Sequence, residues 1–165
     1  MIIRDNLLDD SSFTEIKNEI IKLPYRLMDY KVSIGDEIAC LINLVYFADT
    51  PKSDIFELLH THFCCPLDAV AWVRIKINLT LKDQGSTIWG WHTDYDGLGN
   101  KPQYANMKTS IFYLNNTNGP TVFKDGSEVD CVRNRLLTFP SNTIHSGRSH
   151  TEGDNKRIVI NFNYF

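Results

Sequence analysis

What this chain lacks narrows its identity first. No apolar run approaches the roughly 20 residues that a membrane-spanning helix needs. No cluster of Lys and Arg marks a nucleic-acid surface, and 17 basic against 20 acidic residues leave a net charge of −3. The opening Met1-Ile2-Ile3-Arg4-Asp5 leads into acidic and polar residues, not into the apolar stretch of a signal peptide. Cysteine is scarce: Cys40, Cys64, Cys65 and Cys131 include no Cys-x-x-Cys, so buried reduced thiols are expected rather than a disulfide framework or a cysteine metal site. Internal repeats and low-complexity segments are absent as well. These absences set the expectation of a cytoplasmic protein with no membrane or nucleic-acid partner, leaving proteins, peptides or small molecules as what it acts on.

What is present is a globular composition, 42% hydrophobic and 12% aromatic over 165 residues. A chain of this length buries roughly 70% of its unfolded surface around one core. The expected organisation is a single domain, 1–165, in which 1–66 form helical and strand support and 67–165 the core. Ser12-Phe13-Thr14-Glu15 reads as a capping box, with Phe13, Ile16, Ile20 and Leu23 at helical spacing and Pro24 as the stop. Residues 25–32 suit a strand, while 41–48 suit either a strand or a buried helix. Thr50-Pro51 looks like an N-cap and first-turn proline opening a second helix to about His62, with Ile55, Leu58 and Leu59 on one face.

Beyond Pro66 the pattern becomes β. Segments 70–81, 88–93, 109–114, 121–123, 135–139 and 157–165 read as strands. Turn signals separate them at Asp83-Gln84-Gly85, Asn118-Gly119-Pro120, Asp125-Gly126 and Glu152-Gly153-Asp154. The fold class is therefore mainly β, a jelly roll with N-terminal helices packed on one sheet.

Within Trp89-Gly90-Trp91-His92-Thr93-Asp94, strand periodicity puts His92 and Asp94 on one face with Gly90 leaving room beside them. Trp89 and Trp91 then point the other way, into the core. A third ligand comes from the stretch Phe139-Pro140-Ser141-Asn142-Thr143-Ile144-His145, where a strand and turn deliver His145. His150, in the polar loop that follows, is its competitor. Two imidazoles and one carboxylate suit non-haem Fe(II), which keeps open positions for other ligands. Arg157 opens the strand after the second histidine, where a guanidinium can hold a carboxylate bidentately. His60 and His62 lie on a helix with different faces and read as partly solvated residues.

Taken together, His92-Thr93-Asp94, Thr109-Ser110-Ile111-Phe112-Tyr113-Leu114-Asn115, Asn134-Arg135-Leu136-Leu137-Thr138-Phe139 and Arg157-Ile158-Val159-Ile160-Asn161-Phe162-Asn163-Tyr164-Phe165 resemble the prolyl-4-hydroxylase-like group of Fe(II)/2-oxoglutarate-dependent oxygenases, especially its small phage-type members. The resemblance covers about residues 70–165. It implies a double-stranded β-helix, iron on His92, Asp94 and His145, and 2-oxoglutarate on Arg157 with Tyr113 and, more weakly, Thr109. The implied chemistry uses O2 to hydroxylate a substrate C–H bond with succinate and CO2 as coproducts, and leaves room for ascorbate. No catalytic side chain beyond the ligands is implied.

The chain departs from the group's pattern at three places. Asn118-Gly119-Pro120-Thr121 replaces a Gly-Gly pair. The stretch 78–88 lacks a tyrosine often found near the cosubstrate, which leaves Asn78 to take a polar role. Asn163 stands where the nucleic-acid demethylase branch has a second arginine, which disfavours alkylated bases. The expected substrate is a prolyl or other side chain of a protein or peptide, with Tyr95, Tyr104 and Asn163 as contacts and residues 95–107 as a mobile lid. A free amino acid or small molecule is the alternative, and a non-catalytic jelly-roll binding protein the reading from another class.

Overall fold

The computed structural model describes residues 1–28, 40–98 and 104–165. In chain order the first elements are β1 (Ile2–Arg4), α1 (Asp10–Lys22), β2 (Arg26–Met28), β3 (Cys40–Phe47), β4 (Thr50–Pro51), α2 (Phe56–Leu67) and β5 (Trp72–Leu81). Next come β6 (Lys108–Tyr113), β7 (Thr117–Phe123), β8 (Glu128–Cys131), β9 (Arg135–Pro140), β10 (His145–Gly147) and β11 (Lys156–Tyr164). The larger sheet runs β1-β9-β6-β11-β5-β3-β2 with β4 on the edge of β3, and the smaller runs β10-β7-β8. Every pairing in them is antiparallel. Strands far apart in sequence are neighbours, as in a jelly roll. Residues 1–66 do more than cover a sheet, since β3 pairs along β5 inside it. No helix among the described residues is long and apolar enough to cross a membrane.

Local chemistry moves several boundaries from where the sequence puts them. The N-cap of α1 is Asp9, not Ser12: its carboxylate accepts the backbone N–H of Ser11 and of Ser12, each at 3.0 Å, and its charge suits the helix dipole. Thr50-Pro51 opens no helix. Ala48 and Asp49 both adopt positive φ, 52° and 56°, and reverse the chain in two residues so that Tyr46 faces Pro51 and Phe47 faces Thr50. A proline is tolerated there because β4 is an edge.

The second helix begins only at Phe56 and closes on Asp68, whose left-handed backbone (φ 52°) sends its N–H to the carbonyls of Cys64 and Cys65. Segment 88–93 is not a ladder strand; it touches its neighbour by single bridges at Ile88 and His92. Asn118-Gly119-Pro120 lies inside β7 at a register shift against β8 rather than in a turn. Of the strand expected over 25–32, residues 29–32 lie outside the described residues, as do 99–103 of the segment expected to form a lid.

Alternation along the central strands sorts two faces. On one face Ile75 and Ile77 of β5, Phe112 of β6 and Ile160 and Phe162 of β11 pack beneath α1 and α2, meeting Phe13, Ile16, Ile20, Leu59 and Phe63. On the other, Ile111, Tyr113, Leu137, Phe139 and Val159 meet Phe123, Val129 and Cys131 of the smaller sheet. That second face carries polar residues too. Arg74, Lys76 and Asn78 of β5 lie across from Asn163, Asn161 and Val159 of β11. A sheet with a greasy outer face under helices and a polar inner face has room inside for chemistry.

Phe112 ties the two helices to the sheet. It is fully buried, with ring centroids 6.1 Å from Phe13 and 4.9 Å from Phe63. Phe112→Ala should cost about 3–5 kcal/mol in chemical denaturation, as large-to-small changes at such sites do. Ile21→Ala, on the exposed side of α1 at 46% exposure, should stay within about 0.5 kcal/mol of wild type.

Candidate metal centre

His92 and His145 are brought together by backbone pairing. The His92 N–H donates to the His145 carbonyl at 3.1 Å and the His145 N–H returns to the His92 carbonyl at 2.9 Å, an antiparallel bridge between 88–93 and β10. Their rings lie side by side, centroids 4.5 Å apart. Each ring is oriented by a carbonyl two residues earlier: Nδ1 of His92 lies 3.1 Å from the Gly90 oxygen, and Nδ1 of His145 lies 3.0 Å from the Thr143 oxygen. A carbonyl only accepts, so both protons sit on Nδ1 and both Nε2 atoms carry the lone pair that a metal needs. With the Asp94 carboxylate, the ligand atoms of the three residues all lie within 4.8 Å of one another. His150 is elsewhere, fully buried with Nε2 against the Asp154 carbonyl at 3.1 Å.

Asp94 is 3% exposed and heavily supported. Its Oδ1 accepts from the Arg74 guanidinium at 2.7 Å. Its Oδ2 accepts from Thr109 Oγ1 at 2.8 Å, Asn163 Nδ2 at 3.1 Å and Asn161 Nδ2 at 3.2 Å. Burial by itself would raise its pKa, but the Arg74 guanidinium and the two imidazoles hold the carboxyl well below the usual range. It stays ionised, as a metal ligand must.

The three residues open on a cavity of about 500 Å³, within the span of small-molecule sites. Arg157 lines it, 3% exposed, and its hydrogen bonds go only to neutral oxygens: Nε donates to the Gly119 carbonyl at 2.8 Å and a terminal nitrogen to Thr121 Oγ1 at 3.3 Å. No carboxylate pairs with it among the described residues. Behind Thr121 stands Tyr113, fully buried, its hydroxyl 2.7 Å from Thr121 Oγ1 and its pKa pushed by burial to about 12, so it remains a phenol. Gly119 is required at this point, since a Cβ there would meet the Arg148 oxygen at 2.8 Å and His150 Cβ at 2.9 Å.

The other expected site residues divide. Asn78 lines the cavity, with its Oδ1 buried and unpartnered. Thr109 and Asn163, expected beside cosubstrate and substrate, lie instead against Asp94, because the strands that carry them face its carboxylate. Tyr95 and Tyr104 are not among the residues lining the cavity, and Tyr104 stacks on Phe165 with centroids 6.2 Å apart. Trp89 is core, but Trp91 is not: it is 37% exposed, lines the cavity and lies under Lys124 Nζ, 4.3 Å from the ring centroid. Arg74 and Lys76, both lining the cavity, had not been singled out in the sequence. Their signal was there, in basic residues two apart on a strand whose alternate positions are Ile75 and Ile77. That pattern looks like an ordinary solvated face until the strand is known to be central.

No protein-family model matches the chain and no curated protein resembles it in sequence. Solved structures do match. An oxidoreductase of the 2OG-Fe(II) oxygenase family from Burkholderia pseudomallei superposes with a TM-score of 0.69 at 14% identity, over 99% of this chain and 84% of that one. HygX from Streptomyces hygroscopicus, determined with nickel, 2-oxoglutarate and hygromycin B bound, gives 0.68 at 10% identity over 99% and 81%. A prolyl hydroxylase from Trichoplax adhaerens, in complex with a hypoxia-inducible-factor peptide fragment, gives 0.67 at 16% identity over 99% and 82%. The chain has the jelly-roll, double-stranded β-helix fold of the 2OG-Fe(II) oxygenases.

Proposed function

We propose that this protein is an Fe(II)- and 2-oxoglutarate-dependent dioxygenase that hydroxylates a C–H bond of a small substrate. The observation that carries the reading is the pairing of two features in one cavity. One is a His92–Asp94–His145 cluster whose imidazole lone pairs are already directed. The other is a buried guanidinium, Arg157, with no counter-ion among the described residues. An unpaired buried charge costs several kcal/mol and is kept where a ligand will satisfy it. A non-catalytic jelly roll could use either feature to bind a ligand, but the two together in one cavity match the needs of a metal and an acidic cosubstrate.

The donor set fits Fe(II), which His92, Asp94 and His145 would hold. When bound with 2-oxoglutarate and O2, it supplies oxidative decarboxylation to succinate and CO2 coupled to insertion of one oxygen atom into a substrate C–H bond. The chain's own part is geometric and electrostatic. Arg157 would take the distal carboxylate of 2-oxoglutarate, with Thr121 beside it and Tyr113 fixing Thr121. Thr109, Asn161 and Asn163 fix Asp94 so that its charge stays in place. For the substrate, a small molecule is favoured over a peptidyl proline, because Tyr95 and Tyr104 do not line the cavity whereas Arg74 and Lys76 do.

Anaerobic addition of Fe(II) and 2-oxoglutarate should produce a weak visible charge-transfer band, and a protein that gives none is not this enzyme. Calorimetric titration with Ni(II) as an inert stand-in should show metal binding lost in His145→Ala and kept in His150→Ala; the reverse pattern would make His150 the third ligand.

Arg157→Ala removes one partner of a desolvated charge pair, worth about 2–5 kcal/mol or roughly thirty- to several-thousand-fold in affinity. Its 2-oxoglutarate affinity should fall by that order while Ni(II) affinity stays near wild type. Tyr113→Phe, which loses only a neutral hydrogen bond to Thr121, should cost about 0.5–1.5 kcal/mol in the same titration. Wild-type 2-oxoglutarate affinity in Arg157→Ala would remove the reason for choosing this cosubstrate.

A further inference from the structure

We infer that Lys76, with Arg74 beside it, forms a second anion subsite in the cavity, and that the substrate is therefore a small acid carrying a carboxylate or phosphate. The inference rests on the oxygenase reading above and names the substrate class of that site. Lys76 lies on β5 directly across from Asn161 of β11, on the inner face, and lines the same cavity as the metal cluster. Among the described residues it makes no hydrogen bond and no ion pair. Arg74 holds Asp94, so of these two neighbouring cations only Lys76 has no partner.

A lysine whose head merely reached solvent would be the plain explanation, but its surroundings are those of a built site. Lys76 is half-buried in the cavity wall, and desolvation there together with the nearby Arg74 guanidinium lowers the ammonium to about 8. Flanking it, Asn78 and Asn161 are 6% and 7% exposed, line the cavity, and each leaves its Oδ1 buried without a donor. The orientation of Asn161 is fixed, because its Nδ2 must donate to the Asp94 carboxylate. Its oxygen is then the atom left facing an unmet need. Buried polar atoms without partners are uncommon, and two beside an unpaired ammonium point to a ligand. That ligand would bring negative charge to Lys76 and a hydroxyl or amine hydrogen to the amide oxygens.

Charge balance leads the same way. Among the described residues that line the cavity, Arg74, Lys76 and Arg157 outnumber Asp94 and Asp96 by one, counting the histidines neutral. A divalent metal and the dianionic 2-oxoglutarate cancel each other and leave that excess unchanged. With Arg157 engaged by the cosubstrate, the remaining positive charge belongs to Arg74 and Lys76, and one more anionic group makes the filled cavity neutral.

The test uses acetate and inorganic phosphate as probes, at constant ionic strength in chloride, read by tryptophan fluorescence because Trp91 lines the cavity. Wild type loaded with Ni(II) and 2-oxoglutarate should bind at least one probe saturably. Lys76→Met should weaken that binding at least tenfold and Lys76→Arg should restore it, while 2-oxoglutarate affinity stays within about twofold of wild type in both. Acetate binding alone assigns a carboxylic acid, phosphate binding alone a phosphate ester, and either supports the subsite. Saturable binding of neither probe overturns it, as does equal binding by Lys76→Met. A tenfold loss of 2-oxoglutarate affinity in Lys76→Met also overturns it, by placing Lys76 in the cosubstrate site. The same titration without metal separates the two readings. Lys76-dependent anion binding in metal-free protein, together with no 2-oxoglutarate uptake by the Ni(II)-loaded protein, would sink the oxygenase reading and keep the subsite.

Discussion

The buried carboxylate of Asp94 is the constraint around which the interior is arranged. An ion of this kind removed from water costs several kcal/mol unless hydrogen bonds and opposite charge replace what water gave. Here the replacement comes from three neighbouring strands of the larger sheet: Arg74 on β5, Thr109 on β6, Asn161 and Asn163 on β11. Those residues can meet at one point only because their strands are adjacent and in the observed register, Asn163 across from both Arg74 and Thr109. A one-residue slip of β11 would turn Asn161 and Asn163 outward and bring Ile160 and Phe162 in. The site and the register therefore stabilise each other.

Arg157 is held by a different means, backbone shape. Its Nε bonds to the carbonyl of Gly119, which lies between Thr117 and Thr121, where the register of β7 shifts. The loop that delivers β11 turns at Gly153, with φ +87°, so tightly that a Cβ would come within 2.5 Å of the Asn116 oxygen. Two glycines thus set where the guanidinium sits, one beneath it and one just upstream. With both neighbours fixed and neutral, the charge is oriented without being neutralised, and that is the state in which it can attract and hold an anion.

The proximity of His92, Asp94 and His145 was legible in the sequence because short-range rules govern it: a two-residue period for the first pair, and a strand and turn for the third. The position of Arg157 was legible for the same reason, near the start of a strand that follows the second histidine. Boundaries decided by unusual backbone were not. Nothing about Ala48 advertises a left-handed conformation, so the reversal that makes Thr50-Pro51 an edge strand was hidden behind a plausible helix start. The three-residue β1 and β10 are too short to show a period at all. Arg74 and Lys76 were hidden for a deeper reason. Alternation tells which residues share a face, but whether that face meets water or a second sheet depends on pairing between distant segments.

That last dependence also explains how an acidic chain can hold an anion site. The protein carries a net charge of −3, so its surface as a whole does not gather anions. Within the cavity the sign is reversed, because Arg74, Lys76 and Arg157 are grouped by the β5–β11 pairing while most acidic residues lie outside it. Low-dielectric walls focus such a local field, and a small acid inside would feel the grouped cations far more strongly than the distant excess of carboxylates. The same strand pairing that supports Asp94 thus also groups the cations that set the charge of the cavity.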